Sequence, residues 1–99
     1  MPDGSSVARQ PLVLAGDVDV DSADAKFLDL LEQAARVGPD LPPEVEIDCA
    51  GVTFLGSAGL AMLVKLRSRL GRRLALVRVP PAVRHPFEVT GLDQLFDLR

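Results

Sequence analysis

The sequence contains few of the residues that form disulfides, bind metals or stack on bases. Its 99 residues include one cysteine and one histidine, and neither tryptophan nor tyrosine. Cys49 alone cannot form an internal disulfide, and Cys49 with His85 makes too few ligands for a zinc site. No metal or cofactor is therefore expected, and a lone thiol fits the reducing cytoplasm, where we expect the protein to be located.

Long apolar segments are also lacking. The longest uninterrupted apolar run, residues 58–64, has seven residues including a glycine, too few to cross a bilayer. The opening residues 1–6 have neither the basic start nor the apolar stretch of a secretory signal. Apolar residues make up 47% and charged residues 25% of the chain, the balance of one globular domain.

Charge is distributed unevenly along the chain. Residues 1–50 carry eleven acidic and three basic residues, a net charge of −8, whereas residues 51–99 carry eight basic and three acidic residues, a net charge of +5. Such a polarity can steer a partner electrostatically, or can reflect helix faces that differ in sign. The basic stretch at residues 65–73 lacks neighbouring aromatic residues and the net charge is −3, so a solvated helix face is favoured over nucleic-acid binding.

The first half of the chain has the pattern of a strand, a helix and a second strand. The apolar run at residues 11–15 predicts a strand, followed by a turn at residues 16–19. Candidate caps at Asp21 and Ser22 then open a helix that ends at Gly38. Its apolar residues follow helical spacing: Phe27, Leu30, Leu31 and Ala34. Residues 45–49 alternate apolar and acidic, which predicts a half-buried strand with an inward Cys49.

The second half continues the alternation of helix and strand. A helix is predicted from about residue 58 to Leu70, capped by Gly71, with Arg67 at the edge of its apolar stripe. The apolar run at 74–79 predicts a strand covered on both faces, and a short helix at 82–89 precedes a small apolar tail. Strands separated by such helices indicate an α/β fold with a mostly parallel central sheet, or α+β if an edge strand runs antiparallel. We expect residues 1–10 to be flexible or loosely attached and residues 11–99 to form one domain.

The turn of residues 55–59 carries the strongest functional signal. Ser57 lies between Gly56 and Gly59 where a strand meets a helix N-terminus, and free backbone N–H groups there favour an oxygen anion. Ser57 is either the N-cap of that helix or a functional hydroxyl. A hydrolase nucleophile elbow would place glycine where Leu55 stands, so catalysis by Ser57 is not supported and no enzyme is expected.

The same turn lies within a longer resemblance to a known family. Residues 48–60, Asp-Cys-Ala-Gly-Val-Thr-Phe-Leu-Gly-Ser-Ala-Gly-Leu, resemble the central signature of STAS domains, the fold of bacterial anti-sigma factor antagonists. Residues 16–19 are similar to the family's Gly-Glu-Leu-Asp turn, residues 81–84 match a further motif, and residues 89–96 look like its Thr-Gly-Leu-x-x-Leu-Phe close. The resemblance covers residues 11–98 in order and spacing.

The resemblance implies a regulatory module that switches partners. In such antagonists the serine of the turn is phosphorylated by a serine-kinase anti-sigma factor of the histidine-kinase-like ATPase type and restored by a phosphatase. Carried over, Ser57 is the phosphoacceptor, while Gly56, Ala58, Gly59 and a neighbouring Asp19 contact the partner. Unphosphorylated protein would bind the anti-sigma factor and release the sigma factor.

Three departures from the family pattern leave alternatives open. Gly56 stands where the family usually has aspartate, the opening hairpin is shortened, and the chain stops before the family's C-terminal helix. Lone STAS domains also serve in lipid-transport complexes, so a constitutive scaffold subunit of a transporter or sensory complex is the alternative function. A small-ligand or nucleotide binder at the helix N-terminus is a third, although no basic P-loop motif accompanies it.

Overall fold

The chain folds into parallel strands joined by helices. The computed structural model describes residues 10–99, so the prediction for the first ten residues falls almost wholly outside the described part. The strands are β1 (Leu12–Val18), β2 (Glu44–Leu55), β3 (Arg73–Val77) and β4 (Asp97–Leu98). The helices are α1 (Ala23–Val37), α2 (Ser57–Leu70) and α3 (Pro81–Thr90), and short 3₁₀ turns lie at Gly38–Asp40 and Leu92–Gln94.

The strands form one four-stranded sheet in the order β1-β2-β3-β4, and all neighbouring pairs are parallel. Right-handed crossovers between consecutive parallel strands place the connecting helices on the same face. Buried side chains from all three helices accordingly form one core with the inward strand residues. The predicted α/β class is confirmed, and no strand between residues 10 and 99 runs antiparallel.

Two element predictions were wrong at the sheet edges. The predicted turn at residues 16–19 is mostly strand, because β1 continues to Val18 in pairing with the end of β2. Gly16 tolerates this path since its φ of +80° lies in the left-handed region. The apolar tail contributes a fourth strand, where Asp97 and Leu98 pair with Ala75 and Leu76 of β3.

Strand β2 is irregular next to the turn that carries Ser57. Two register shifts against β1 each insert one extra residue into β2, first between Asp48 and Gly51 and then between Val52 and Phe54. Such bulges turn side chains to the other face of a sheet. Val52 and Leu55 therefore point into the core, and both Thr53 and Phe54 are exposed.

The opposite face of the sheet is polar, and the cover that the sequence predicted for both faces of β3 comes there from charged side chains. Half-buried Glu44 and Glu46 lie on this face. Arg99 crosses it, with guanidinium nitrogens 2.8 Å from Glu44, 3.2 Å from Glu46 and 2.6 Å from Asp97. Ala75 lies between Glu46 and Asp97 in the sheet register and is fully buried. β3 is thus apolar on both sides because long charged side chains, rather than a second helical layer, cover its outer face.

An ion pair links β2 to the residue that follows β3. The Arg78 guanidinium binds the Asp48 carboxylate through Nε and Nη2. The hydrogen bond from Arg78 holds the pKa of Asp48 below its ordinary value, with help from the backbone N–H of Ala50. Because the folded-state pKa is lowered, this contribution to stability is lost as pH falls through the Asp48 pKa.

The alkaline limit of stability should depend on Cys49. Its thiol is 1% exposed, and burial raises its pKa to about 12 from 9.0. Above pH 9 the unfolded chain releases this proton and the folded chain keeps it, so the free energy of unfolding should fall by about 1.4 kcal/mol per pH unit up to pH 12. Urea unfolding at several pH values should show this slope in the wild type and lose it in Cys49→Ala. Equal slopes in both proteins would contradict the buried thiol.

None of the helices within residues 10–99 combines the length and the apolar character that crossing a membrane requires.

Candidate functional site

Ser57 lies at the point where β2 ends and α2 begins, and it is exposed. The N-cap of α2 is Gly56, with extended backbone, and Ser57 is the first helical residue. Within residues 10–99 its hydroxyl makes no hydrogen bond. Of the two roles that the sequence left open, the capping role therefore belongs to Gly56, and the Ser57 hydroxyl is free to meet another molecule.

The start of α2 also offers backbone donors. The N–H groups of Gly59 and Leu60 both donate to the Gly56 carbonyl at 3.0 Å. The N–H groups of Ser57 and Ala58 have no backbone acceptor within the described residues. Together with the helix dipole, these two N–H groups favour negative charge beside the Ser57 side chain.

The turn is anchored to the end of β1. The Gly56 N–H donates to the Val18 carbonyl at 3.0 Å. Gly59 is buried against the same residue, and a Cβ built there would lie 2.6 Å from Leu55 Cδ1, 2.9 Å from Val18 Cγ1 and 3.0 Å from the Val18 carbonyl oxygen. The second glycine of the motif is thus required by packing, and it fixes the position of Ser57.

Gly59→Ala should destabilise the protein despite the better helix propensity of alanine. The Leu55 side chain can move, but the Val18 carbonyl is part of the sheet and cannot. We expect a net loss of about 1–2 kcal/mol, since overpacking costs about 1–3 kcal/mol and the helix gains at most about 1. Urea unfolding would measure it. A variant as stable as wild type would show that the helix moves away from β1 at no cost.

Asp19, the predicted neighbour of the turn, follows Val18 directly. Its carboxylate accepts hydrogen bonds from the backbone N–H groups of Asp21 (3.0 Å) and Ser22 (3.1 Å) and from the Ser22 hydroxyl (3.1 Å). Its side chain therefore orders the loop between β1 and α1. The structure brings this loop beside the turn through Val18, and the carboxylate itself is engaged within its own loop.

Two exposed apolar side chains were not identified as functional from the sequence. Phe54 is 53% exposed, and Val20, next to Asp19, is 80% exposed. The Phe54 ring lies against Gly56, where a Cβ would stand 3.1 Å from its Cε2 and 3.3 Å from its Cζ. The sequence did contain a signal for Val20, because an apolar residue between two aspartates indicates an exposed apolar side chain. We call Val20, Phe54, Gly56 and Ser57 the turn surface.

A cleft between α1 and α2 begins beside this surface. It has a volume of about 330 Å³ and is lined on one side by Val20 and Phe27 and on the other by Ala58 and Met62. The Lys65 ammonium lies 4.6 Å from the centre of the Phe27 ring. The cleft extends the apolar character of the turn surface along the two helices.

The groups around the Ser57 hydroxyl determine whether it could act as a catalytic nucleophile. Within residues 10–99 neither an imidazole nor a carboxylate is hydrogen-bonded to its hydroxyl, so nothing in that part of the chain activates it as a nucleophile. His85 is exposed on α3. Cys49 is a residue of β2 and is buried in the core. No three of the described His, Cys, Asp and Glu residues are grouped as a metal site.

Comparison with known proteins relates the chain to one family. The family model described as Mlab, STAS domain matches residues 3–98. The chain is similar to proteins named anti-sigma-F factor antagonist RsfB in two strains of Mycobacterium tuberculosis, CDC 1551 / Oshkosh and ATCC 25618 / H37Rv. Each is 33% identical over 89 residues, which cover 88% of this chain and 70% of the relative.

A solved structure agrees with these matches. The crystal structure of an anti-sigma factor antagonist from Mycobacterium paratuberculosis superposes with a TM-score of 0.67 at 35% sequence identity. The match covers 87% of this chain and 72% of that chain. Sequence and fold therefore both relate the chain to proteins described as anti-sigma factor antagonists.

Proposed function

Because the chain belongs to the STAS domain family, we propose that it is a regulatory protein–protein interaction module of the anti-sigma factor antagonist type. In this proposal its turn surface binds a bacterial anti-sigma factor that is also a serine kinase. Phosphorylation of Ser57 breaks that complex, and a serine phosphatase restores it. The module works in the cytoplasm, and it changes transcription by freeing a sigma factor, without catalysis of its own.

The observation that supports the proposal is the exposed Ser57 hydroxyl at the start of α2. A phosphate there adds nearly two negative charges and three acceptor oxygens. The N–H groups of Ser57 and Ala58 and the helix dipole stabilise that charge in the free protein. Phosphorylation is therefore compatible with the fold.

The surroundings of Ser57 explain why the same phosphate opposes binding. Phe54 lies against Gly56, the residue before Ser57, and Val20 lines a cleft with Ala58, the residue after it; both side chains are exposed. Such side chains contribute most when a partner excludes water from them. A phosphate placed among them has to be desolvated in the complex, and this cost opposes association. Modification can thus change an interface without changing the fold.

Phosphorylation itself can be tested directly. We expect a cognate anti-sigma factor kinase with ATP to add one phosphate to the wild-type protein, with fragment mass spectra placing it on Ser57. Ser57→Ala should stay unmodified. Ser68→Ala, which changes another exposed serine of α2, should be modified at the wild-type rate. A phosphate on any residue other than Ser57 would contradict the proposal.

A constitutive scaffold role is the second candidate, and Gly56 is the observation that favours it. The family usually has an aspartate there, whereas in this chain the Phe54 ring occupies the space beside the glycine. A scaffold subunit of a transporter or sensory complex would keep its partner whatever the charge at position 57. Equal recovery of one complex by wild type, Ser57→Ala and Ser57→Asp would select this role.

A further inference from the structure

Strand β1 forms one edge of the sheet. Within residues 10–99 its only strand neighbour is β2, so one side of its backbone faces away from the sheet. Residues 10–16, which include the first half of β1, carry no charge, and the Val13 side chain is 52% exposed. An apolar, uncharged edge strand is the kind of segment that pairs with a strand of another chain. This edge therefore needs protection against strand addition.

The side chain of Gln33, on α1, supplies that protection at Val13. Its Oε1 accepts a hydrogen bond from the Val13 N–H at 2.8 Å, and its Nε2 donates to the Val13 carbonyl at 2.9 Å. A strand paired antiparallel with β1 would contact Val13 through the same N–H and carbonyl groups. The Gln33 amide thus occupies the position that the backbone of an added strand would take.

Asp29 holds the Gln33 amide in this orientation. The Gln33 Nε2 also donates to Asp29 Oδ2 at 2.8 Å, one turn earlier on α1. Because both N–H groups of the amide then have acceptors, Oε1 is directed to the Val13 N–H. Pro11, two residues before Val13, has no N–H to offer on the same side of the strand. The start of this edge is therefore closed at two successive positions.

We propose that this contact is autoinhibitory: the Gln33 side chain keeps β1 from pairing with β1 of a second copy of this chain. Antiparallel pairing across a two-fold axis is self-complementary, because each copy presents the same uncharged segment to the other. The exposed Val13 side chains would add apolar contact across the axis. Removal of the Gln33 amide leaves the N–H and carbonyl of Val13 open to this pairing.

Stability alone does not account for the contact between Gln33 and Val13. Its two hydrogen bonds are exposed to solvent, where water can satisfy the same backbone groups. Water is displaced when another strand approaches, whereas the Gln33 amide is attached to α1 and is held there by Asp29. The side chain therefore contributes the exclusion of a strand, which water cannot provide.

The test is sedimentation velocity of the full chain over a range of concentrations. We expect Gln33→Ala to dimerise with an association constant at least about tenfold above that of the wild type. Alanine keeps both the helix and the net charge. Gln94→Ala is the matched control, because it removes the same amide from another exposed residue, and it should sediment like the wild type. Adding Val13→Lys to Gln33→Ala should abolish the dimer, since a charge on an edge strand opposes pairing.

Hydrogen exchange at the Val13 amide reports the contact itself. In dilute Gln33→Ala this amide should exchange at least about tenfold faster than in the wild type, and its protection should return as the dimer forms. Three results would overturn the proposal: association no stronger than in the wild type, unchanged Val13 exchange, or association that persists with Val13→Lys. Ser57→Ala should alter none of these measurements, which separates the edge contact from the proposed phosphorylation switch.

Discussion

Ser57→Asp should weaken binding to the anti-sigma factor at least 100-fold, whereas Ser57→Ala should bind as tightly as the unmodified wild type. The aspartate places a charge among Phe54, Val20 and the partner surface, where it loses hydration without gaining a matched cation. A loss of about 3 kcal/mol already corresponds to more than a 100-fold change in Kd. Calorimetry or surface plasmon resonance with the purified anti-sigma factor would measure it.

Stability measurements separate this effect from unfolding. An acidic residue in the first turn of a helix interacts favourably with the dipole, by about 0.3–1 kcal/mol. Ser57→Asp should therefore be as stable as the wild type, or slightly more stable, in urea. If the folded Ser57→Asp variant bound as tightly as Ser57→Ala, the turn would not be the switch, and the scaffold role would be preferred.

Phe54→Ala should weaken the same complex about 30-fold, the effect of removing an interface side chain that contributes about 2 kcal/mol. The ring is 53% exposed and lies against Gly56, the residue before Ser57. Because it contributes little to the core, the variant should fold normally. The measurement is the Kd for the anti-sigma factor, with urea unfolding to confirm the fold.

Val13 provides a matched control for Phe54. It is 52% exposed, also on a strand, but it lies on β1 away from the turn. Val13→Ala should change the Kd less than twofold. If Val13→Ala and Phe54→Ala weakened binding equally, the loss would reflect general surface hydrophobicity, and the turn surface would not be the binding site.

Local sequence patterns were sufficient to predict most of the helices and strands. Helical spacing predicted α1 through Phe27, Leu30 and Ala34, all of which are buried. Alternation predicted the inward side chains of β2 as far as Cys49. Glycine predicted the ends of the first two helices, and Gly38 and Gly71 both have positive φ. These signals predict structure correctly because each depends only on residues close together in the sequence.

The wrong predictions concerned features that depend on pairing between segments distant in the sequence. β1 extends through the turn-like residues after Ala15 because the end of β2 supplies hydrogen bonds that local preferences cannot anticipate. Strand β4 has two residues, too few for any periodicity, and exists because β3 has a free edge. The outer face of β3 is covered by Arg99, whose acidic partners are separated from it by up to 55 residues.

The same distinction between local sequence and tertiary packing applies to the candidate site. The sequence by itself determined the turn with two glycines, the helix that follows it and the serine between them, since these depend on backbone conformation over a few residues. Only the tertiary structure decided that Gly56 is the cap and that the Ser57 hydroxyl has no hydrogen-bond partner within residues 10–99. It also placed Phe54 against Gly56 and Val20 in a cleft with Ala58, the two chain neighbours of Ser57. It also decided that the Nε atom of half-buried Arg67 is enclosed, with no hydrogen-bond partner among residues 10–99. Exposure and pairing depend on which distant segments pack together, and no local spacing encodes that.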